Sequence, residues 1–469
     1  MQVQPRLLHS AKEKAAVKSW LILAMCFAYL IYFFSSSYYF QIFLTVLSIV
    51  VFFTSLTSAK PAPRVLGFIM MLVGVILNFI KGSGVEGTMD GILSNLPLLT
   101  LVILVPLISI PFKIGGFFHS VHYFLEILAQ DSRKMFGSIT VFLFCMGPIL
   151  NIGSIRVLHE MIQDLKLRSI LLAKAYLVGF STVILWSPYF ASVAMVLYYL
   201  DLSVTEYLPY GLTLAFIQLL VGNGLFQIWY RNHKEEANSK SDQEATNPKQ
   251  IDIHQNKIHR KKMMKLFLIV VGLFCSIFLI EHLTKWPMLV LVSLTSLLFP
   301  LLWGLFQREW GEMRYYFGLF RDFSVPTMNN EIVMFIGAGV FGKALVGTTI
   351  ADGIQVFLNQ VAGTSFMLFI YTVLLILLVF TFIGLHQIVV VTVLLTQFDP
   401  VALGTTPQVL ALLLMVGWSM SAVLSPVNPL NLLVSSSVNE PSLAVGMKWN
   451  GVYLFSMFVI GSLFIYFLH

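Results

Sequence analysis

Two short polar stretches interrupt an otherwise apolar chain, and their residue types suit the binding of a small solute or an ion. The first is Ser187-Pro188, with Ser192 five positions on; the second is Ser425-Pro426, followed by Asn428 and Asn431. Proline inside a helix removes a backbone donor and clashes with the preceding turn, so each run is expected to break there. A break exposes amides at the start of the second half-helix, and with the helix dipole these form an anion site. The carbonyls freed at the end of the first half-helix suit a hard cation such as Na⁺. Ser187 and Ser192 in one half, and Ser425, Asn428 and Asn431 in the other, would add neutral hydroxyl and amide ligands. The competing expectation is that these side chains only cap the broken helices, as Ser and Asn commonly do.

Other residues could handle protons. Asn329, Asn330 and Glu331 open a segment that also holds Lys343 and Asp352. Ionisable groups in such a segment are costly unless they pair or face water. Glu331 or Asp352 could couple proton movement to transport, and Lys343 could attract an anion. The alternative puts Glu331 and Asp352 at the segment's two ends, fixing it at the interface. His386 follows Gly384 in a nearly apolar run and titrates near neutral pH, so it could relay protons. It could equally bond a neighbouring helix, as could Gln387. His119, His122 and Glu126 fall at i, i+3 and i+7, on one face of a helix. Two histidines and one acid are a thin metal set, and a polar face is the simpler expectation. No metal or cofactor is expected beyond Na⁺ or H⁺ as coupling ion.

Enzyme signatures are weak. His159-Glu160 lacks the second histidine of a zinc-protease helix, because position 163 is Gln. Gly179-Phe-Ser181 and Gly417-Trp-Ser419 lack the closing glycine of a nucleophile elbow. There is no Gly-rich phosphate loop ending in Lys-Ser/Thr. An enzyme is therefore not the expected reading.

These residues must be positioned by membrane helices. Of 469 residues 58% are hydrophobic and 11% charged, against about 25% charged in ordinary globular domains, and the mean hydropathy is +0.85. Apolar runs of about 17–25 residues, each long enough to span a bilayer, recur along the chain. The expected fold is an all-α polytopic membrane protein with about 10–12 transmembrane helices. The net charge of +7 is concentrated in the N-terminal segment and in 231–265. Lys and Arg stay on the cytoplasmic side, which places the N-terminus and a flexible 231–262 linker in the cytoplasm of a cell-membrane protein. No soluble basic domain exists to bind nucleic acid. Cys26, Cys145 and Cys275 lie in apolar runs without paired spacing, so no disulfide or zinc framework is expected.

The linker divides the chain into similar halves. Two runs, 169–200 and 407–438, are too long for a simple crossing, and each has its Ser-Pro pair near the middle. Glycine precedes Ser-Pro by eight residues in both, as Gly179 and Gly417, with a further serine at Ser181 and Ser419. Gly147-Pro148 lies 40 residues before Ser187, and Gly384-Leu-His386 lies 41 before Ser425. Three features in one order argue for an internal repeat. Corresponding interrupted segments in two halves point to an inverted-repeat transporter. The expected organisation is an N-terminal segment with two spans at 1–63, a first repeat at 64–230, the linker, and a second repeat at 263–469. Re-entrant hairpins are expected at about 113–131 and 330–360.

With these motifs in this order, the chain resembles the ion transporter superfamily. That group includes dicarboxylate and citrate carriers, arsenite permeases, sodium/proton antiporters and the large membrane subunits of tripartite carriers. The likeness covers roughly 94–230 and 320–468. It implies a scaffold plus, in each half, a re-entrant hairpin and a broken helix with a polar motif. It also makes Asn329 and Asn330 hairpin-tip ligands and implies a homodimer. The chain departs from the dicarboxylate carriers' Ser-Asn-Thr tips, having Met328-Asn329-Asn330-Glu331 in the second half and no Asn at the first break. The expected function is secondary active transport of a small anionic organic solute, coupled to Na⁺ or H⁺, with elevator-type alternating access. The rivals are a flippase for a lipid or lipid-linked substrate, an intramembrane enzyme, and a membrane subunit that needs a partner.

Overall fold

A computed structural model describes residues 5–129, 131–233 and 253–469. Most of the expected linker, 234–252, lies outside the described residues. Backbone groups in lipid have no water to bond, so a spanning chain satisfies them within helices. Among the described residues the fold is all-helical without strands, and ten stretches are long and apolar enough to cross a membrane. The chain is an all-α polytopic membrane protein.

The first three helices, α1 (Pro5–Ser35), α2 (Tyr38–Leu56) and α3 (Pro61–Ile80), are followed by a long run, α4 (Gly84–Ser94), α5 (Leu96–Leu104) and α6 (Ser109–Ile114). Helix α16 (Asn329–Leu345) packs parallel to α3 and antiparallel to α4. Glycines permit the close approach: a Cβ at Gly339 would lie 2.5 Å from the Gly91 carbonyl oxygen, and one at Gly337 2.7 Å from that of Gly67. At one end the Lys60 amide donates to Asn330 Oδ1 at 2.8 Å. At the other, Lys81 Nζ donates to the carbonyls of Ala344 and Val346. Helix α16 thus runs the full length of α3.

This alters the expected hairpin at 330–360. Gly337-Ala-Gly339 is a crossing contact inside one continuous helix rather than an interruption. The break comes later, at Gly347 (φ +72°), and α17 (Thr349–Thr364) leaves at 83°. Helix α17 packs on α18 (Phe366–Phe382) rather than back on α16, and leaves Ile350, Val356 and Phe357 exposed. The segment is one continuous helix along α3 plus a second helix set across its end. The stretch 113–131 likewise holds one arm. Gly116 (φ +61°) ends the run up to Ile114, and α7 (Phe117–Leu128) lies against the start of α13 (Ile253–Thr284), with Tyr123 stacked on His259 at 4.3 Å.

Two other segments turn back inside the protein. Helix α8 (Ser132–Leu150) starts beside the end of α12 (Val204–Asn232), where Phe136 stacks on Phe226 at 3.9 Å and Arg133 covers the Tyr230 ring. It turns at Asn151 (φ +52°) and returns as α9 (Gly153–Ile162). In the second half α18 turns at Gly384 (φ +104°) and returns as α19 (Gln387–Gln397). Phe369, near the start of α18, meets Phe398, just past α19, with ring centroids 5.8 Å apart, so the arms are antiparallel. The first hairpin enters from the end where α12 finishes and α13 begins, called here the linker end. The second enters from the opposite end, where Phe366 stacks on the C-terminal His469 at 3.5 Å.

Candidate functional site

Each hairpin leads into a broken helix. The first is α10 (Ser169–Ile184) and α11 (Ala191–Tyr199); the second is α20 (Pro407–Leu424) and α21 (Pro429–Val438). Both breaks follow from Pro188 and Pro426, whose rings cannot sit within a continuing helix. Hairpin and broken helix pack alike in the two halves. A Cβ on Gly179 would lie 2.9 Å from Thr140 Cα of α8, and one on Gly417 would strike Leu377 of α18. The two broken helices cross antiparallel at the matched serines: Ser419 Oγ donates to the Ser181 carbonyl at 2.7 Å, and Ser181 Oγ meets the Tyr453 hydroxyl at 2.9 Å. At 1.5 Å per residue, each Ser-Pro pair lies roughly 9 Å beyond this contact, in opposite directions. The breaks are therefore two polar places on either side of a shared crossing, not one shared polar cavity.

The first break, 185–190, is walled by rings. Trp186 packs on Phe144 and on Phe274, each at 5.3 Å, and Tyr189 meets Phe274 at 5.1 Å. The Leu185 carbonyl, freed by the break, accepts from the Tyr207 hydroxyl at 2.6 Å. Ser187 Oγ, Ser192 Oγ, the Tyr189 hydroxyl and Trp186 Nε1 are all buried without a hydrogen-bond partner. Such groups are normally paired, because burying them unpaired is costly. Ser192 lies in the first turn of α11, whose leading amides share its position. Gly147 packs on Val183, which sets the first hairpin tip, with Asn151, alongside this break.

The second break is closed by its own side chains. Ser425 Oγ donates to the Thr381 carbonyl at 2.8 Å, joining the break to the second hairpin tip. Gln387 Oε1 accepts from Ser421 Oγ at 2.8 Å and from Asn428 Nδ2 at 3.2 Å. Asn428 Oδ1 caps α21 by accepting the Leu430 amide at 2.9 Å. Asn431 Nδ2 donates to the freed carbonyls of Val423, at 3.0 Å, and Ser425, at 3.2 Å, which leaves Asn431 Oδ1 buried and unpartnered. His386 stands at the hairpin tip, where its ring accepts the Ile388 amide at 3.3 Å.

The structure thus gathers Ser187, Pro188 and Ser192 at one break, and Ser425, Asn428, Asn431, His386 and Gln387 at the other. It does not bring Asn329, Asn330, Glu331 or Asp352 to either. Asn329 Nδ2 bonds the Pro326 carbonyl at 2.6 Å, and Asn330 holds the start of α3. Both, with Glu331, begin α16, away from the breaks. Asp352 is exposed in the first turn of α17, and Lys343 is exposed near the end of α16. No group of three metal-ligating side chains occurs among the described residues, so His119, His122 and Glu126 form no metal set. Sequence reasoning missed Tyr189, Trp186 and Asn151, although each lies within three residues of a Pro already singled out. It also missed Asn95, a buried side chain that donates to the Phe335 carbonyl at 3.0 Å and accepts from the Tyr199 hydroxyl at 2.9 Å. One polar residue in a long apolar run carries no local signal.

No protein-family model and no curated sequence matches the chain. Among solved structures the chain is similar to the YdaH transporter of Alcanivorax borkumensis, described as having an unusual topology. The TM-score is 0.59 at 15% identity, over 87% of this chain and 99% of that one. At that identity the likeness is one of fold, and it extends over nearly the whole of the solved transporter.

Proposed function

We propose that the chain is a secondary active transporter that moves a small organic anion across a cell membrane, driven by Na⁺ or H⁺. The observation that carries this reading is the set of four buried, unpartnered polar groups at the first break, beside the N-terminus of α11. Hydroxyls, an indole N–H and free amides are all donors, and their natural complement is an oxyanion. The second break offers the opposite chemistry. Asn431 Oδ1 and the carbonyls of Val423 and Ser425 are acceptors, suited to the coupling cation. His386 at the tip is the candidate proton carrier where H⁺ drives the cycle.

The halves are read as inverted repeats because their hairpins enter from opposite ends and their matched serines meet. In this reading the hairpins, broken helices, α12 and the C-terminal α22 (Gly451–Leu468) move together against the remaining helices. Orientation follows from charge: Arg133, Lys134, Arg231, Lys257, Arg260, Lys261 and Lys262 cluster at the linker end, which is read as cytoplasmic. The similarity to a solved transporter supports the class without naming a solute.

The test is uptake into proteoliposomes from a panel of organic anions, with and without a Na⁺ or pH gradient. Gradient-dependent flux that falls in Ser187→Ala and Asn428→Ala supports the reading. No flux from folded protein refutes it, and movement of a labelled phospholipid in the same vesicles would assign a lipid substrate instead.

A further inference from the structure

At the end opposite the linker, a separate cavity of about 330 Å³ opens between the turn joining α11 to α12 and the turn joining α13 to α14 (Met288–Gln307). This is within the size range of small-molecule sites, at its lower end. Asp201, Glu206 and Glu281 contribute three carboxylates to its lining, with Lys285 as the one ammonium and His282 beside it. Tyr198 and Trp286 supply aromatic wall. Glu206 is occupied by the Ser203 amide and hydroxyl, at 3.0 and 2.6 Å. Glu281 is different. It is 8% exposed, and one of its oxygens accepts the Val204 amide at 3.0 Å. Its other oxygen, Oε2, is buried and has no partner.

The geometry points to a binding site for a small organic ammonium, primary or secondary, with its N–H groups on Glu281 and its body against Trp286 and Tyr198. A buried carboxylate oxygen calls for a donor. The lining's excess of negative charge selects a cationic donor, and aromatic faces attract cations. Lys285 acts on Glu281 only as a nearby charge and not as its hydrogen-bond partner, because its side chain is exposed and makes no ion pair with Glu281 among the described residues. The site spans α11–α12 on one side and α13–α14 on the other, so its occupant would touch both. It is distinct from the two breaks and stands whether or not the chain transports an anion.

The probe is phenethylammonium, with neutral phenethyl alcohol as its control, titrated into full-length protein in nanodiscs at pH 7. Saturable binding and a raised melting temperature with the amine, and not with the alcohol, are expected. Glu281→Gln keeps the acceptor for the Val204 amide and should weaken amine binding about tenfold or more. Lys285→Met removes a competing cation and should tighten it about three- to fivefold. Equal effects of amine and alcohol would overturn the inference, as would unchanged affinity in Glu281→Gln; either would leave water as the partner of Glu281.

Discussion

Replacing Asn428 separates two jobs that the structure gives to one side chain. Its Oδ1 caps α21 through the Leu430 amide, and its Nδ2 ties α21 to Gln387 at the second hairpin tip. Losing an N-cap costs about 0.5–2 kcal/mol. A hydrogen bond between helices in a membrane averages about 0.6 kcal/mol. Asn428→Ala loses both, or about 1–2.5 kcal/mol of local stability. At 1.4 kcal/mol per factor of ten, the Leu430 amide should then exchange with solvent about 5- to 60-fold faster. Asn428→Ser restores a capping oxygen without the amide donor, so exchange there should stay within about threefold of the parent. Hydrogen exchange read by mass spectrometry over a peptide covering 425–432 checks both. Equal acceleration in Ala and Ser would refute the capping argument. No acceleration in Ala would refute the assignment of this side chain to the break.

Four further outcomes follow from the same geometry. Ser187→Ala deletes a hydroxyl that has no partner, so the melting temperature should be unchanged or slightly higher even as solute flux falls; a loss of more than about 1 kcal/mol would mean the hydroxyl is already paired. Gly339→Leu forces side-chain atoms into the Gly91 carbonyl and should destabilise by about 1–3 kcal/mol or more, whereas Gly272→Ala, with open space around it, should be neutral or stabilising; thermal unfolding in detergent compares them. In a cysteine-free background, Phe369→Cys with Phe398→Cys should be joined by a short bifunctional thiol reagent, and failure to join would mean α18 and α19 do not fold back on each other. Tyr199→Phe leaves Asn95 Oδ1 without its donor and should cost about 1–3 kcal/mol by the same unfolding measurement, an unchanged midpoint counting against the bond.

The broken helices were legible in the sequence because proline acts locally: Pro188 and Pro426 end a helix wherever they fall inside one. The hairpins were not. Segments 113–131 and 330–360 drew attention through glycine and ionisable residues, yet Gly337 and Gly339 serve close helix contact, and Asn330 holds the end of a neighbour. Of the segments that do turn back, 132–162 and 366–397, the arms α8, α18 and α19 are largely apolar, and α8 is long enough to read as a crossing. Only Gly147-Pro148 and Gly384-Leu-His386 marked them, at near-equal distances from the two Ser-Pro pairs. Whether a hydroxyl is paired is a tertiary property, so Ser187 and Ser425 read alike in the sequence. Ser425 meets the Thr381 carbonyl, and Ser187 meets nothing.

The glycine-lined seat of α16 also bears on the order of synthesis. Its walls, α3 and α4, are complete by residue 94, whereas the helix that fills it begins at Asn329. At about 5–20 residues per second, the seat stands open for roughly 12–50 s during translation. In that interval Gly67, Gly74 and Gly91 present bare backbone to lipid or to whatever insertion factor attends the nascent chain. A pause or truncation between the two halves would leave a half-built protein with an unoccupied groove, a natural mark for membrane quality control.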